Sequence, residues 1–120
     1  MTEPHLDRVA ILGTGNMGAA IIRGLIASKT LPPTSIFASD AAQDKLILLA
    51  NEYGIGTTTN NHELVLNSDV IVLAFKPQML SHVLEEILPD VTTNTRVISI
   101  AAGVTLGTLE AGLNHVPRVI

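Results

Sequence analysis

There is no cysteine in this chain of 120 residues, and only three side chains are aromatic: Phe37, Tyr53 and Phe75. The first absence rules out disulfides and thiolate-held metals, and it fits a reducing cytosol. The second removes the flat rings on which bases stack. With a net charge of −4 and no basic stripe, it argues against a nucleic-acid partner. Long apolar runs are missing as well. The longest that reads as a strand, 70–75, falls far short of the ~20 residues of a membrane helix. Glu3, His5, Asp7 and Arg8 precede any apolar segment, unlike a secretory leader. A soluble, cytoplasmic protein with no membrane partner is the expectation. The four histidines, at positions 5, 62, 82 and 115, are dispersed without metal-ligand spacing. His82, Glu85 and Glu86 share an expected helix and read as a solvated face.

What is present is aliphatic. Hydrophobic residues make up 47% of the chain, so with few rings the core is Ile, Leu, Val and Ala. Such runs suit parallel strands covered on both faces. The length suggests one domain, with roughly two-thirds of the unfolded surface buried. Short apolar runs at 8–12, 35–39, 55–58, 70–75, 96–101 and 118–120 read as strands. Helical patterns alternate with them: 16–28, with Met17, Ala20, Ile21, Gly24 and Leu25 on one face; 40 or 41 to 53, with Leu46, Leu49, Ala50 and Tyr53 on one face; 61–67; 78–88; and 104–113. Pro32 and Pro33 break the chain after the first helix. Gly54 is a plausible C-cap, Asn61 a plausible N-cap, Pro77 suits a first helical turn, and Pro89 stops the fourth helix. Strands alternating with helices imply a doubly wound parallel sheet, and right-handed crossovers give the order 3-2-1-4-5-6. The chain closes within its sixth expected strand, which suits an edge strand or a piece of a longer protein.

Within "AILGTGNMGAA", residues 10–20, Gly13, Gly15 and Gly18 stand at the spacing G-x-G-x-x-G. The motif leaves a strand and opens a helix, as the dinucleotide fingerprint of a Rossmann-type α/β/α domain requires. Gly13 permits the tight turn, Gly15 lets a pyrophosphate approach the backbone, and Gly18 lets the helix pack close to the sheet. The alternative is a glycine turn that merely packs. Asp40, 22 positions after Gly18, ends the second strand and can accept from an adenosine ribose, or it can cap the following helix. A carboxylate there repels a 2′-phosphate, and the nearest downstream cation is Lys45. Taken alone this leans toward NADH; Ser39 can still donate to a phosphate, so NADPH stays open as well. "AFKPQ", 74–78, ends the fourth strand near the switch point, which puts Lys76 beside cofactor phosphates or leaves it a solvated cation. "SIAAGV", 99–104, ends the fifth with small residues that admit a flat ring or a tightly packed helix.

Together "ILGTGNMGAAIIRGL", "SDVIVLAFKPQ" and "VISIAAGVTLGTLE" make the chain resemble the N-terminal domain of the pyrroline-5-carboxylate reductase family. The first piece is common to many dehydrogenases, and the other two are more specific. The resemblance implies hydride transfer from NADPH or NADH to the C=N carbon of 1-pyrroline-5-carboxylate, giving L-proline. It assigns Gly13, Thr14, Gly15, Asn16, Met17 and Gly18 to the phosphate turn, and Ser39 and Asp40 to the ribose position. Asn61 matches a cofactor-contacting Asn; Ala74, Lys76 and Pro77 match the cofactor loop, and Ala101, Ala102 and Gly103 the nicotinamide loop. No catalytic side chain is assigned, because a protonated imine accepts hydride readily and positioning supplies much of the acceleration. In the family a helical C-terminal domain supplies the dimer interface and most of the substrate pocket, and these 120 residues lack it. Cofactor binding with negligible turnover, and oligomers only with that domain, are therefore expected. Two other readings stay open. One is a related oxidoreductase of the β-hydroxyacid dehydrogenase or F420-dependent NADP reductase type. The other is a stand-alone nucleotide-binding module without chemistry.

Overall fold

The computed structural model describes residues 8–100 and 106–119, the side chains of Leu106 and Arg118 aside. Six strands, β1 (Val9–Leu12), β2 (Ile36–Ser39), β3 (Gly56–Thr58), β4 (Val70–Leu73), β5 (Arg96–Ser99) and β6 (Arg118–Val119), form one sheet. Its order is β3-β2-β1-β4-β5-β6, as the alternation of strands and helices predicts, and every pairing is parallel. Between the strands run α1 (Asn16–Ala27), α2 (Gln43–Tyr53), α3 (Asn61–Leu66), α4 (Pro77–Ile87) and α5 (Leu106–Gly112).

The period of two along each strand divides the core into two layers. In β1, Val9 and Ile11 face α1 and α2, where they pack with Ile22, Ile36, Leu46 and Leu49. Ala10 and Leu12 face the other way, among Leu64, Ile71, Leu80, Val83, Ile87 and Leu109. β4 divides likewise, with Ile71 and Leu73 on one side and Val72 on the other. All four side chains of β1 are buried. Each large aliphatic group of this kind contributes about 2 kcal/mol through burial. A strand covered on both faces leaves only its ends exposed to solvent, so function is confined to the strand ends and the loops beyond them.

Helix ends follow local chemistry. Gly54 closes α2 in the left-handed region at φ 74°, its N–H bonded to the Ala50 carbonyl. Pro77 opens α4 at its first position. Four expectations need correction. α2 begins at Gln43 rather than at 40 or 41, because Asp40 bonds the Ala42 N–H and holds a turn ahead of the helix. The cap of α3 is Asn60, whose side chain accepts from the N–H groups of His62 and Glu63; Asn61 is turned to other partners. On α1 Gly18 and Ile22 are buried, and Ile21 and Leu25 of the expected face pack partly against the same core, while Met17, Ala20 and Gly24 are exposed. Tight contact at Gly18 rotates the helix so that positions four apart from Gly18 meet the sheet. β4 also ends at Leu73, two residues short of the expected run.

Replacing Asn60 with Ala is expected to cost about 1 kcal/mol in urea unfolding, the usual loss for an N-cap. Asn61→Ala leaves both cap bonds in place, so the two substitutions separate the cap from its neighbour.

Candidate dinucleotide site

The site is built on the turn from β1 into α1. Gly13 takes φ 97°, which side-chain-bearing residues rarely adopt. A Cβ on it would stand 2.8 Å from the Ala74 carbonyl oxygen, and one on Gly18 would stand 2.0 Å from the Gly13 carbonyl oxygen. Both glycines are therefore required by the chain's own backbone. The Gly13 N–H donates to the Ser39 carbonyl at 2.9 Å, and the Ala74 N–H donates to the Leu12 carbonyl at 2.9 Å. The turn is thus stitched to the ends of both neighbouring strands.

Gly15 differs. A Cβ there would meet nothing within 4 Å, and its φ of −66° is open to any residue. Glycine is a favoured N-cap, and the space its missing Cβ leaves is open to a ligand approaching the backbone. Gly15 is also the N-cap of α1 and supplies no side chain to satisfy the first N–H groups. Those donors, with the helix dipole, favour an anion.

In front of the turn lies a cleft of about 370 Å³. Gly15, Asn16 and Met17 form one wall; Ala74, Phe75, Lys76 and Pro77 form the other, with Ile100 at its floor. It opens at the carboxyl ends of β1 and β4, where the chain's winding reverses and such sheets bind ligands. Exposed Lys76 precedes α4, which likewise has no side-chain cap. Two uncapped helix starts and one ammonium group thus face a mouth whose apolar lining is Met17, Phe75 and Ile100. Phe75 and Ile100 lie within the quoted motifs but were not singled out by sequence reasoning. Ala101, Ala102 and Gly103 lie outside the described residues. No cluster of metal-ligating side chains occurs among the described residues.

Beyond the turn, Asp40 accepts from the Thr14 N–H at 2.9 Å and the Thr14 hydroxyl at 2.7 Å through one oxygen. Its other oxygen accepts from the Ala42 N–H at 2.8 Å. Burial alone would raise its pKa, but the bonds from Ala42 and Thr14, with the charge of Lys45, outweigh burial and lower it below 3.8. Asp40 is not the cap of α2, which begins beyond Ala42. Its neighbour Ser39 is 1% exposed. The Ser39 hydroxyl donates to the Asn61 side-chain oxygen, and the Asn61 amide nitrogen donates to Glu86 on α4. Sequence reading placed Glu86 on a solvated face, since nothing local marks a partner 25 residues away.

The family model described as NADP oxidoreductase coenzyme F420-dependent matches residues 8–103. The chain belongs to this family. A curated relative, pyrroline-5-carboxylate reductase of Methanosarcina acetivorans, is 40% identical over 95% of this chain and 42% of its own length. Among solved structures, a pyrroline-5-carboxylate reductase from Coxiella burnetii superposes with a TM-score of 0.86 at 36% identity, covering 94% of this chain and 42% of its own. The Plasmodium falciparum pyrroline carboxylate reductase with NADP bound gives 0.77 at 25% identity, covering 89% of this chain and 38% of its own. The family resemblance carried by the three motifs is borne out. The chain spans about two-fifths of the length of these relatives.

Two outcomes follow from this geometry. Gly18→Ala drives a methyl group into a backbone carbonyl and is expected to cost about 3 kcal/mol or to prevent folding, whereas Gly15→Ala stays within about 1 kcal/mol of the parent in urea unfolding. The lowered pKa of Asp40 makes its contribution present above pH 3.8 and lost as pH falls through the folded-state value. Asp40→Asn is therefore expected to be less stable by about 2 kcal/mol at neutral pH, with the gap closing in unfolding curves as pH falls through the lowered folded-state pKa.

Proposed function

We propose that this chain is the NAD(P)H-binding domain of a cytoplasmic 1-pyrroline-5-carboxylate reductase, an enzyme that reduces the cyclic imine to L-proline. The observation that carries this reading is the cleft at the β1–β4 switch, with open space where Gly15 would carry a Cβ at the uncapped start of α1. Relatives at 36–40% identity bear that enzyme's name and support the choice of reaction. No helix among the described residues is long and apolar enough to cross a membrane, in keeping with the cytoplasmic reading.

The residues present fit the cofactor. The N–H groups at the start of α1 meet a pyrophosphate, and Gly15 leaves it room. Thr14, buried and bonded twice to Asp40, keeps the turn from relaxing when the anion leaves. Lys76 adds a positive charge at the mouth, while Met17, Phe75 and Ile100 keep water from the cleft's inner wall. The bound cofactor supplies the hydride; the chain supplies position and exclusion, which suits a reaction whose imine needs little acid–base help. The substrate pocket and the subunit interface belong to the further length that the relatives possess.

Titration of the 120-residue protein with NADPH and NADH by calorimetry is expected to show saturable one-to-one binding, and no proline formation from 1-pyrroline-5-carboxylate. Gly15→Ala is expected to weaken binding at least tenfold while remaining folded. Proline formation at a complete enzyme's rate would overturn the assignment of the substrate pocket to a further domain. A folded protein that binds neither cofactor would overturn the reading of the cleft.

A further inference from the structure

The chain holds three methionines and no cysteine. A mild oxidant therefore meets no thiol here, and its sulfur targets are thioethers alone. Met1 lies outside the described residues. Met17 and Met79 are 57% and 47% exposed, so an oxidant reaches either. Their surroundings differ. Met17 is the second residue of α1 and lines the cleft beside Gly15 and Asn16, whereas Met79, in the first turn of α4, does not line it.

Position in α1 gives the Met17 thioether its consequence. Side chains of a helix lean back toward its N-terminus, so one at the second position reaches over the first turn. That turn has no side-chain cap, and its N–H groups are the donors a pyrophosphate would use. A thioether sulfur is a weak acceptor and leaves those donors to a ligand. A sulfoxide is polar, and its oxygen accepts strongly and carries partial negative charge. Met17 belongs to neither core cluster, so the change touches the mouth of the cleft and not the packing.

We propose that Met17 is an oxidation site through which a hydroperoxide closes the cleft to its dinucleotide. The sulfur lone pair attacks the hydroxyl oxygen of the peroxide, and an S–O bond forms as the O–O bond breaks. The departing oxygen takes the hydroxyl proton and leaves as an alcohol, or as water where the oxidant is hydrogen peroxide. Sulfur gives up two electrons and the peroxide takes them. The new oxygen turns onto the donors of the first turn and stands where the pyrophosphate would approach, so binding weakens while the fold persists. A bound dinucleotide covers the same thioether, so the loaded protein resists the oxidant. This rests on the cleft being a dinucleotide site.

The test treats the folded 120-residue protein with hydrogen peroxide, removes the excess with catalase, and titrates NADPH by calorimetry. Peptide mass mapping reads the oxygen added at each methionine. Oxidation of Met17 is expected to weaken NADPH binding by about fivefold or more, the worth of one net hydrogen bond, with the urea midpoint unchanged. Reductases acting on both sulfoxide epimers restore the affinity. Saturating NADP+ is expected to slow oxidation of Met17 and leave that of Met79 as it was. Met17→Leu, whatever its starting affinity, is expected to bind equally before and after peroxide, and Met79→Leu to keep the parent's sensitivity. Full oxidation of Met17 with unchanged NADPH affinity would overturn the proposal. So would a loss of affinity that persists in Met17→Leu, or one that comes with a lowered urea midpoint, the mark of a structural lesion. Untreated protein that binds no dinucleotide overturns the reading of the cleft itself, and the oxidation gate with it.

Discussion

The carboxylate of Asp40 accepts three hydrogen bonds, and two of them come from a single buried residue in the neighbouring loop, Thr14. Through them the carboxyl ends of β1 and β2 become one rigid corner. Gly13 and Gly18 close the same corner from the other side, since the carbonyl of one occupies the space where the other's Cβ would stand. α1 can leave the sheet only in the direction these contacts allow. Its uncapped start is thereby aimed across the cleft, and the face it lays on the sheet, Gly18 and Ile22, is decided at the same moment. Without this corner neither the packing of α1 nor the opening of the cleft would be defined.

The remaining features of the site depend on that corner being stiff. Backbone donors attract an anion well only when they do not have to reorganise around it. The three glycines of the motif differ in a way their spacing alone does not show. Two are demanded by the protein's own backbone, and the third, Gly15, has open space where its Cβ would stand. The second wall of the cleft, from Ala74 to Pro77, is tied to the first by the bond from the Ala74 N–H to the Leu12 carbonyl, so both walls move as a unit. Such a frame can hold an anion against backbone donors without rearranging.

Much of this was legible before any coordinates. The strand order, the parallel pairing, Gly54 as the C-cap of α2 and Pro77 at the start of α4 all follow from short-range pattern and from the handedness of crossovers. The errors have a common origin. Asn60 and Asn61 are equivalent as local signals, and what separates them is that Asn61 meets Ser39 and Glu86 across the fold. Met17 and Ala20 continue the apolar pattern of α1 yet are exposed, Met17 at the cleft, because the pattern cannot tell a surface turned to the sheet from one turned away from it. Asp40 does not cap α2, because it is held by Thr14, a partner 26 positions earlier that no local pattern marks.

By itself, then, the sequence determined the layered α/β architecture, the order of the strands, the position of the glycine turn at a strand's carboxyl end, and the family. These depend on periodicity, on backbone permissiveness and on the handedness of the chain, all carried by residues close to one another along it. Only the tertiary structure decided which glycines the backbone itself demands, which asparagine is a cap, and that Ser39, Asn61 and Glu86 are joined by hydrogen bonds. Those are properties of side chains brought together from distant segments. A hydrogen bond acquires its direction only when both partners, and the partner's own commitments, are in place.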